Sequence, residues 1–385
     1  MTTPHYYLDH AAATPVDQRV VDAMLPYMTQ HFYNPSSPYA PAVSVRRDYE
    51  GAKSRIAATF GTKGDEIIIT AGATESINLA FSKTGGHVVT SAIEHDAVLA
   101  VAKLHDHTLV APTKVGIVTA ESVAAAITPL TELVSIQLAN NEVGTVHPIR
   151  DIATIIAVER NRRRDAGDLR PLWFHCDASQ GFGQIDVNVA RLGVDMLTLN
   201  AGKMYGPKQV GLLWAKPAVS IHPQIVGGGQ ERGLRSGTEN VAGVIGFAVA
   251  AEIAHAKRKS EAVRLTKLRD ELEQKLATAF ETLVVTGHQK RRLPGSLHVS
   301  FPGLDGERLL FRLESRGVLV ATGSACAANK GTRSHVLVAL GIGDDVADGS
   351  LRITLGRLSD QAVVERAGDI IIEELRAESA RITNA

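Results

Sequence analysis

A series of short apolar segments, each followed by small or polar residues and then by a helical pattern, is the feature that most restricts the fold of this chain. The segments have the length and the β-branched content of buried strands. They lie at 66–70, 87–91, 108–111, 132–138, 172–176 and 194–199. This alternation predicts an α/β fold, with a mostly parallel sheet covered by helices and functional residues in loops at the carboxyl ends of the strands.

The length of 385 residues is too great for one small core and indicates about two domains at roughly 150 residues each. We expect an N-terminal arm at 1–14 that packs with the smaller domain, a large domain at 15–256 and a smaller α+β C-terminal domain at 257–385. Helical periodicity from 241 to 280 predicts a long connecting helix. The hydrophobic content of 44% with 21% charged residues is typical of a soluble globular protein.

Charge and cysteine content narrow the functional classes. Lys plus Arg and Asp plus Glu both number 41, so the overall charge gives no argument for binding nucleic acid or a membrane. The cysteines are Cys176 and Cys326, too few for a disulfide-rich scaffold and typical of a reducing compartment. With no secretory pattern at 1–9 and no long apolar stretch, we expect a cytoplasmic protein. Neither Cys-x-x-Cys nor His-Glu-x-x-His spacing occurs, so no metal site is predicted.

Lys203 stands between a predicted strand and the Gly206-Pro207 turn, where its side chain can face a cleft. Most lysines are simply solvated. Lys203 therefore needs partners before a chemical role can be assigned to it.

Three loops offer such partners. Thr74 opens a helix after a strand, where unpaired N–H groups suit a phosphate, although a plain threonine cap is the alternative. His95 follows the next strand and either stacks on a planar ring or is a half-buried, satisfied histidine. Asp177 closes an apolar strand and must be paired, for which a cationic ring nitrogen is suitable. Gln180 and the amides at 140–141 lie on neighbouring loops.

Taken together, these loops place an anion site, an imidazole, a carboxylate and amides around one lysine. That combination predicts pyridoxal 5′-phosphate as cofactor, with its phosphate at Thr74, its ring nitrogen at Asp177 and its aldehyde carbon on Lys203.

Cys326 is a second chemical centre. The residues at 321–331 around it are mostly small or polar, whereas a structural cysteine usually packs in an apolar element. We expect Cys326 to be exposed and reactive. Cys176 lies in an apolar strand and is expected to be buried and inert.

These motifs resemble the cysteine desulfurases of the NifS and IscS type, which are fold-type I pyridoxal-phosphate enzymes of the class V aminotransferase superfamily. The resemblance spans nearly the whole chain. It rests on the motifs at 7–9, 13–15, 71–76, 94–95, 140–144, 177–180, 203–208, 227–238 and 323–326.

The resemblance implies a large domain with a mostly parallel seven-stranded sheet and a smaller α+β domain carrying the loop of Cys326. It implies conversion of L-cysteine to L-alanine, with the sulfur held as a persulfide on Cys326 and passed to an acceptor protein for Fe–S cluster assembly or tRNA thiolation. It further implies a homodimer, with no membrane association and no direct contact to nucleic acid.

The resemblance also assigns roles to individual residues. Lys203 would hold the cofactor covalently and move the substrate proton, Asp177 would pair with the ring nitrogen, and His95 would stack on the ring. Gln180 would contact the ring hydroxyl. The remaining assignments are phosphate binding for Ala73 and Thr74, phosphate binding from the neighbouring subunit for Thr238, and substrate-carboxylate binding for Asn141 and Arg352.

One departure from the family pattern lies beside the lysine. Asn200 and Gly202 stand where the family has a serine and a histidine that help to bind the phosphate. We expect weaker cofactor retention or a compensating phosphate ligand. The alternatives to a desulfurase are a selenocysteine lyase, another pyridoxal-phosphate lyase or aminotransferase, and a catalytically weakened paralogue that acts as an assembly partner.

Overall fold

The larger sheet forms the centre of the protein in the computed structural model, which describes residues 5–323 and 333–383. Its seven strands lie in the order β2-β8-β7-β6-β5-β3-β4. The strands are β2 (Ile67–Thr70), β3 (His87–Ser91), β4 (His107–Val110), β5 (Thr131–Ser135), β6 (Trp173–Asp177), β7 (Met196–Asn200) and β8 (Gly211–Ala215). Strand β8 runs antiparallel to β2 and β7, and the other neighbours are parallel. The predicted mostly parallel seven-stranded sheet is confirmed.

Helices cover both faces of this sheet and continue into the C-terminal part of the chain. Up to residue 192 they are α1 (Gln18–Thr29), α2 (Ala40–Ala58), α3 (Ala73–Phe81), α4 (Asp96–Ala102), α5 (Ala120–Ala126), α6 (Ile149–Asp165) and α7 (Val189–Leu192). After them come α8 (Val241–Ala279), α9 (Gly306–Ser315), α10 (His335–Ala339), α11 (Asp344–Asp348) and α12 (Gln361–Thr383). No helix in the described ranges has both the length and the apolar character needed to cross a membrane.

The apolar runs of the sequence form strands that are buried on both faces. In β2, Ile67 and Ile69 pack into the core beneath α2 and α8, whereas Ile68 packs into a separate core with residues of α3 and α4. Successive side chains of a strand point to opposite faces, so a strand covered on both sides must be apolar throughout. The predicted helix at 241–280 and the observed α8 agree to within one residue.

The smaller sheet differs because only one of its faces is apolar. It consists of β9 (Val284–Thr286), β10 (Ser296–Ser300) and β12 (Ser350–Thr354), all antiparallel, in the order β12-β10-β9. Leu297 and Ile353 belong to a core that also takes in residues of α9 and α12. The alternate residues His298 and Arg352 are polar, buried and directly opposite each other.

Two further features join the sheets. Strand β1 (Tyr6–Tyr7) pairs in parallel with β11 (Val318–Leu319), which holds the N-terminal segment against the C-terminal part of the chain. Helix α8 has 39 residues, about 58 Å at 1.5 Å per residue. Phe247 packs in the core of the larger sheet, and Leu272 on the same helix packs in the core of the smaller one. One continuous helix therefore fixes the relative position of both cores.

A buried carboxylate anchors the glycine-rich loop at 227–238. Glu231 accepts hydrogen bonds from Lys53 Nζ at 2.9 Å, from Tyr49 Oη at 2.5 Å and from the Ile69 amide at 2.9 Å. The Lys53 and Glu231 side chains are each only 5% exposed. Glu231 lies in the left-handed region, with φ of 48°. Such a conformation is unfavourable for a residue with a side chain, so these buried contacts hold it in place.

We expect Glu231→Ala to lower the free energy of unfolding by about 3–5 kcal/mol, because it leaves a buried ammonium without its counter-charge. Urea denaturation followed by circular dichroism measures the change. Glu252→Ala is the matched control. Glu252 pairs with Arg55, which lies on α2 as Lys53 does, but the Glu252 and Arg55 side chains are 42% and 44% exposed. The control should cost at most about 1 kcal/mol. Equal losses in the two variants would contradict the anchoring role of Glu231.

Candidate active site

A cavity of about 240 Å³ lies at the carboxyl ends of the parallel strands, beside the smaller sheet. Most of the predicted site residues line it. They are Ala73, Thr74, His95, Asn141, Asp177, Gln180, Asn200, Lys203 and Arg352. The fold therefore brings together residues that are separated by up to 279 positions in the chain.

The start of helix α3 forms one wall of the cavity. Its N-cap is Gly72, whose φ of 146° suits glycine, and no side chain in the described ranges caps the helix. Thr74 lies in the first turn, so the alternative interpretation of Thr74 as the capping residue is wrong. The first-turn N–H groups have no partner within the helix and carry partial positive charge, which is the arrangement that binds phosphate.

Asp177 is the last residue of β6 and lines the cavity. Its carboxylate accepts a hydrogen bond from the Ser179 amide at 2.9 Å. His175 lies two residues earlier, with its ring nitrogens 2.9 Å from the hydroxyls of Ser135 and Thr198. Burial lowers the pKa of His175 to about 4, more than the nearby charge of Asp177 raises it. His175 is therefore neutral near pH 7 and does not neutralise the carboxylate, which can pair with a cation in the cavity.

His95 is the N-cap of helix α4, and its Nδ1 accepts a hydrogen bond from the Ala97 amide at 3.1 Å. Because Nδ1 is the acceptor, the neutral ring carries its proton on Nε2. The ring is half-buried and satisfied at one nitrogen, as one interpretation of the sequence expects. It also forms part of the cavity wall, so stacking on a planar ring stays a prediction.

Glu94 lies beneath His95 and was given no role from the sequence. Its carboxylate accepts hydrogen bonds from Ser91 Oγ at 2.7 Å and from the Gln137 amide at 3.0 Å. Burial raises the pKa of Glu94 to about 8 despite these bonds, and the charge of Asp177 adds to the rise. A carboxylate directly after the apolar residues of a buried strand is the sequence signal that could have identified it.

Arg352 reaches the cavity from β12 and is only 1% exposed. Its Nη2 lies 2.6 Å from Asp9 Oδ1 in an ion pair between two residues far apart in the sequence. Opposite Arg352 on β10 stands His298, whose pKa burial and the arginine charge lower to about 4. Asp9 belongs to the motif at 7–9, and no partner was predicted for it. An acidic residue just after a short strand is its only sequence signal.

Lys203 follows β7 in a short 3₁₀ turn at Ala201–Lys203. Asn200 caps this turn, since its Oδ1 accepts a hydrogen bond from the Gly202 amide at 3.0 Å. Lys203 Nζ donates to the carbonyl oxygens of Ala11 and Ala12, at 2.8 Å and 2.7 Å. Sequence reasoning missed these two partners, because backbone carbonyls leave no trace in residue type.

A neighbouring cavity of about 610 Å³ continues from the wall formed by the start of α3. Thr74, Asn200 and Lys203 line both cavities, and Gly202, Lys208 and Gln209 line only this one. Gly202 is thus a buried residue in the wall of this neighbouring cavity, beside the one in which the cofactor is predicted. A Cβ atom at Gly202 would have its nearest contact at 3.4 Å, to Asn200 Oδ1, an ordinary van der Waals separation.

Three predicted site residues are not among those that line the 240 Å³ cavity, and one of them, Gly202, lines only its neighbour. Thr238 lies exposed on the glycine-rich loop and lines neither cavity of this chain. Cys326 lies outside the described residues. Cys176 is completely buried, and burial raises the pKa of its thiol, so the prediction of an inert structural cysteine is confirmed. Within the described ranges, no group of three or more His, Cys, Asp or Glu side chains is arranged to hold a metal ion.

The mostly parallel α/β sheet, with a lysine, a carboxylate and a helix start around one cavity, defines the class of fold-type I pyridoxal-phosphate-dependent transferases. Residues 6–366 match the aminotransferase class-V family. The chain is 40% identical to cysteine desulfurase IscS 1 of Archaeoglobus fulgidus, over 97% of this chain and 98% of that protein.

Solved structures agree with this comparison. A NifS-like protein superposes with a TM-score of 0.87 at 33% identity, covering 97% of this chain and 99% of that one. The structure of SspA in complex with cysteine superposes with a TM-score of 0.78 at 33% identity, covering 92% and 99%. The chain belongs to the aminotransferase class-V family and, within it, to the cysteine desulfurases of the IscS type.

The buried Glu94 carboxyl predicts a pH dependence of stability. Between pH 6.5 and 8 the unfolded chain has lost this proton while the folded protein keeps it, so the free energy of unfolding falls as pH rises. We expect Glu94→Gln to remove up to roughly 2 kcal/mol of this fall. Denaturation of cofactor-free protein at several pH values measures it.

The lowered pKa values of the buried histidines act mainly below pH 6.5 and do not interfere with this comparison. The control is Glu281→Gln. Because Glu281 is exposed, this substitution should leave the pH dependence of the free energy of unfolding as it is in the wild type. A Glu94→Gln variant with the wild-type slope would show that Glu94 is already charged in the folded protein.

Proposed function

We propose that this protein is an L-cysteine desulfurase that binds pyridoxal 5′-phosphate in the cavity around Lys203. It converts L-cysteine to L-alanine and takes up the sulfur as a persulfide on Cys326. The observation that carries the proposal is the convergence of Lys203, Asp177 and Arg352 with the start of α3 on one cavity. Membership of the cysteine desulfurase family supports it.

The residues around the cavity fit this cofactor. The first turn of α3 offers N–H donors for the phosphate, the Asp177 carboxylate suits a protonated ring nitrogen, and Lys203 provides the amine for a covalent bond to the aldehyde carbon. Gln180 and His95 would contact the ring. When bound, the cofactor supplies an electron sink for the bonds broken at the substrate carbon atoms.

The chain's own groups bind the substrate and move its proton. Arg352 offers a guanidinium that can hold the substrate carboxylate through two N–H groups, and Asn141 lines the same cavity. Asp9 holds the guanidinium in place until the carboxylate arrives. Lys203 takes the proton from the substrate α-carbon and returns it. The buried Gln137 lines the cavity and limits the access of water on that side.

The sulfur-transfer step belongs to Cys326. Its thiolate attacks the substrate sulfur, an S–S bond forms, and the electron pair of the broken C–S bond stays with the substrate carbon, which is protonated to give the methyl group of alanine. The chain reaches the edge of the described residues at Gly323, two residues after Ala321, whose backbone bonds to that of Arg352.

The same thiol has to meet an acceptor. We propose a protein acceptor of the kind that builds Fe–S clusters or relays sulfur for tRNA thiolation, because a persulfide passes its outer sulfur to another thiolate by exchange. The IscS name of the relatives supports this class of acceptor. A cytoplasmic location, which the two-cysteine composition favours, is part of the same proposal.

A homodimer is also part of the proposal. Helix α1 and the residues after it carry a stripe of exposed apolar side chains, with Leu25 56%, Met28 64% and Phe32 67% exposed. A stripe of this kind on a globular protein indicates a surface that another protein covers. Thr238 is exposed away from its own cavity, as expected if it serves the phosphate of the neighbouring subunit.

We expect Cys326→Ala to abolish persulfide formation and the release of sulfide from L-cysteine, because no second accessible thiol exists among the described residues. Alanine, protein persulfide and sulfide are measured after addition of L-cysteine. The matched control is Cys176→Ala, which removes the other cysteine, a buried one, and should keep full activity. Wild-type rates of persulfide and sulfide formation in the Cys326 variant would show that the nucleophile is wrongly assigned.

The same variants separate the alternatives. A selenocysteine lyase would retain alanine formation from L-selenocysteine in Cys326→Ala, since selenium leaves without an attacking thiol. A weakened paralogue would be colourless after purification and would not take up pyridoxal 5′-phosphate. A yellow protein that turns over L-cysteine argues against that class.

Gly202→His is expected to slow the loss of the cofactor on dialysis by roughly tenfold, since one hydrogen bond to a charged group is worth about 1.5–3 kcal/mol. Gly202 lines the cavity of about 610 Å³, and a Cβ atom there would meet no atom closer than 3.4 Å. Gly202→Ala provides the same Cβ atom without a donor and should behave as the wild type. An equal rate of cofactor loss in the His variant and the wild type would mean that another group already supplies the contact.

A further inference from the structure

The turn formed by residues 9–13 contacts two charged side chains at the cavity, Arg352 and Lys203. At one end, the Asp9 carboxylate pairs with Arg352 at 2.6 Å. At the other end, the carbonyl oxygens of Ala11 and Ala12 both accept hydrogen bonds from Lys203 Nζ. Two adjacent carbonyls that converge on one amine are a directional site for that amine.

Hydrogen bonds from outside the turn hold in position the backbone that carries these carbonyls. Tyr7 Oη lies 2.8 Å from the carbonyl oxygen of Asp9 and 2.7 Å from that of Ala13, so its single O–H donor is shared between the two ends of the turn. The Ala11 amide donates to Thr354 Oγ1 at 2.9 Å. Because β12 carries both Thr354 and Arg352, the turn is fixed to the strand that supplies the arginine.

We propose that the Ala11 and Ala12 carbonyl pair is the docking site of Lys203 during proton transfer, and that Tyr7 is the positioning residue that maintains it. The inference rests on the proposed function, in which Lys203 takes a proton from the substrate and gives it back. In addition, it assigns to the carbonyl pair the task of orienting the lysine nitrogen while that nitrogen is not bonded to the cofactor.

The hydrogen-bonding capacity of an amine explains why two acceptors suit this task. A neutral amine has two N–H donors and one lone pair, and an ammonium group has three N–H donors. Two carbonyls fix two N–H bonds in either form and so fix the direction of the third position. In that position the lone pair accepts the α-proton of the substrate, and the same proton is later returned from it.

Other titratable and charged residues line the cavities around Lys203, and Tyr7→Phe replaces none of them. On the cavity side they are His95, Asp177 and Arg352. On the opposite side they are His10, Tyr205, Lys257, Glu261 and Arg357. Glu75 and Lys208 line the neighbouring cavity. A change in the titration of Lys203 on removal of one hydroxyl therefore reports on the turn.

The experiment compares Tyr7→Phe with Tyr6→Phe. Tyr6 is the preceding residue of β1, and its ring packs against the core of the smaller sheet. In cofactor-free protein, the rate of acetylation of Lys203 is followed against pH by mass spectrometry. We expect Tyr7→Phe to lower the apparent pKa of Lys203 by about one unit, because a loosened carbonyl pair stabilises the ammonium form less. Tyr6→Phe should match the wild type.

In cofactor-loaded enzyme, Tyr7→Phe is expected to lower kcat for alanine formation about tenfold while KM for L-cysteine changes little. The kinetic isotope effect of α-deuterated cysteine should increase, because proton transfer becomes slower. A merely structural role for Tyr7 would not change the isotope effect. Thr354→Val, which removes the acceptor of the Ala11 amide, gives a second variant with the same expected direction.

The two parts of the experiment fail separately. An unchanged Lys203 pH profile in both variants would overturn the docking site, whether or not the protein turns over L-cysteine. A shifted profile in a protein that forms no alanine would leave the docking site in place and overturn the proposed desulfurase. A shifted profile with an unchanged kcat and isotope effect would also overturn the inference, since the carbonyl pair would then take no part in proton transfer.

Discussion

The ion pair between Asp9 and Arg352 is the interaction on which the arrangement of the site depends. A guanidinium that is 1% exposed needs a counter-charge, because an unpaired buried charge costs several kcal/mol. Asp9 provides it from the N-terminal segment, which thereby becomes a wall of the cavity. This pair, the pairing of β1 with β11 and the continuous helix α8 together bring the arm, the smaller sheet and the lysine of the larger sheet to one cavity.

Burial also decides which groups at the cavity carry charge. Glu94 and His175 flank the strand ends beneath the cavity, and burial shifts their pKa values to about 8 and about 4. Near pH 7 both shifts favour the neutral forms, while Asp177 above them faces the cavity. A cationic ring nitrogen would therefore meet the Asp177 carboxylate with no charge on Glu94 or His175 beneath it, and in such a buried place the attraction is strong.

The departure at Asn200 and Gly202 has a physical basis in the structure. Asn200 uses its side-chain oxygen to cap the turn that carries Lys203. Gly202 lines the larger neighbouring cavity but not the main one. With these two residues in place, Lys203, Asp177 and Arg352 still converge on the main cavity.

The sequence by itself determined the sheet and most of the residues around the cavity. Apolar runs such as 67–70 can only be strands covered on both faces, and the loops after them meet at one edge of a parallel sheet, which is why Thr74, Asp177 and Lys203 could be grouped. Only the tertiary structure decided that Asp9 neutralises Arg352 and that the carbonyls of Ala11 and Ala12 receive Lys203. Pairing between distant segments depends on their packing in three dimensions, and a backbone carbonyl is present in every residue, so neither could be derived from residue type or spacing.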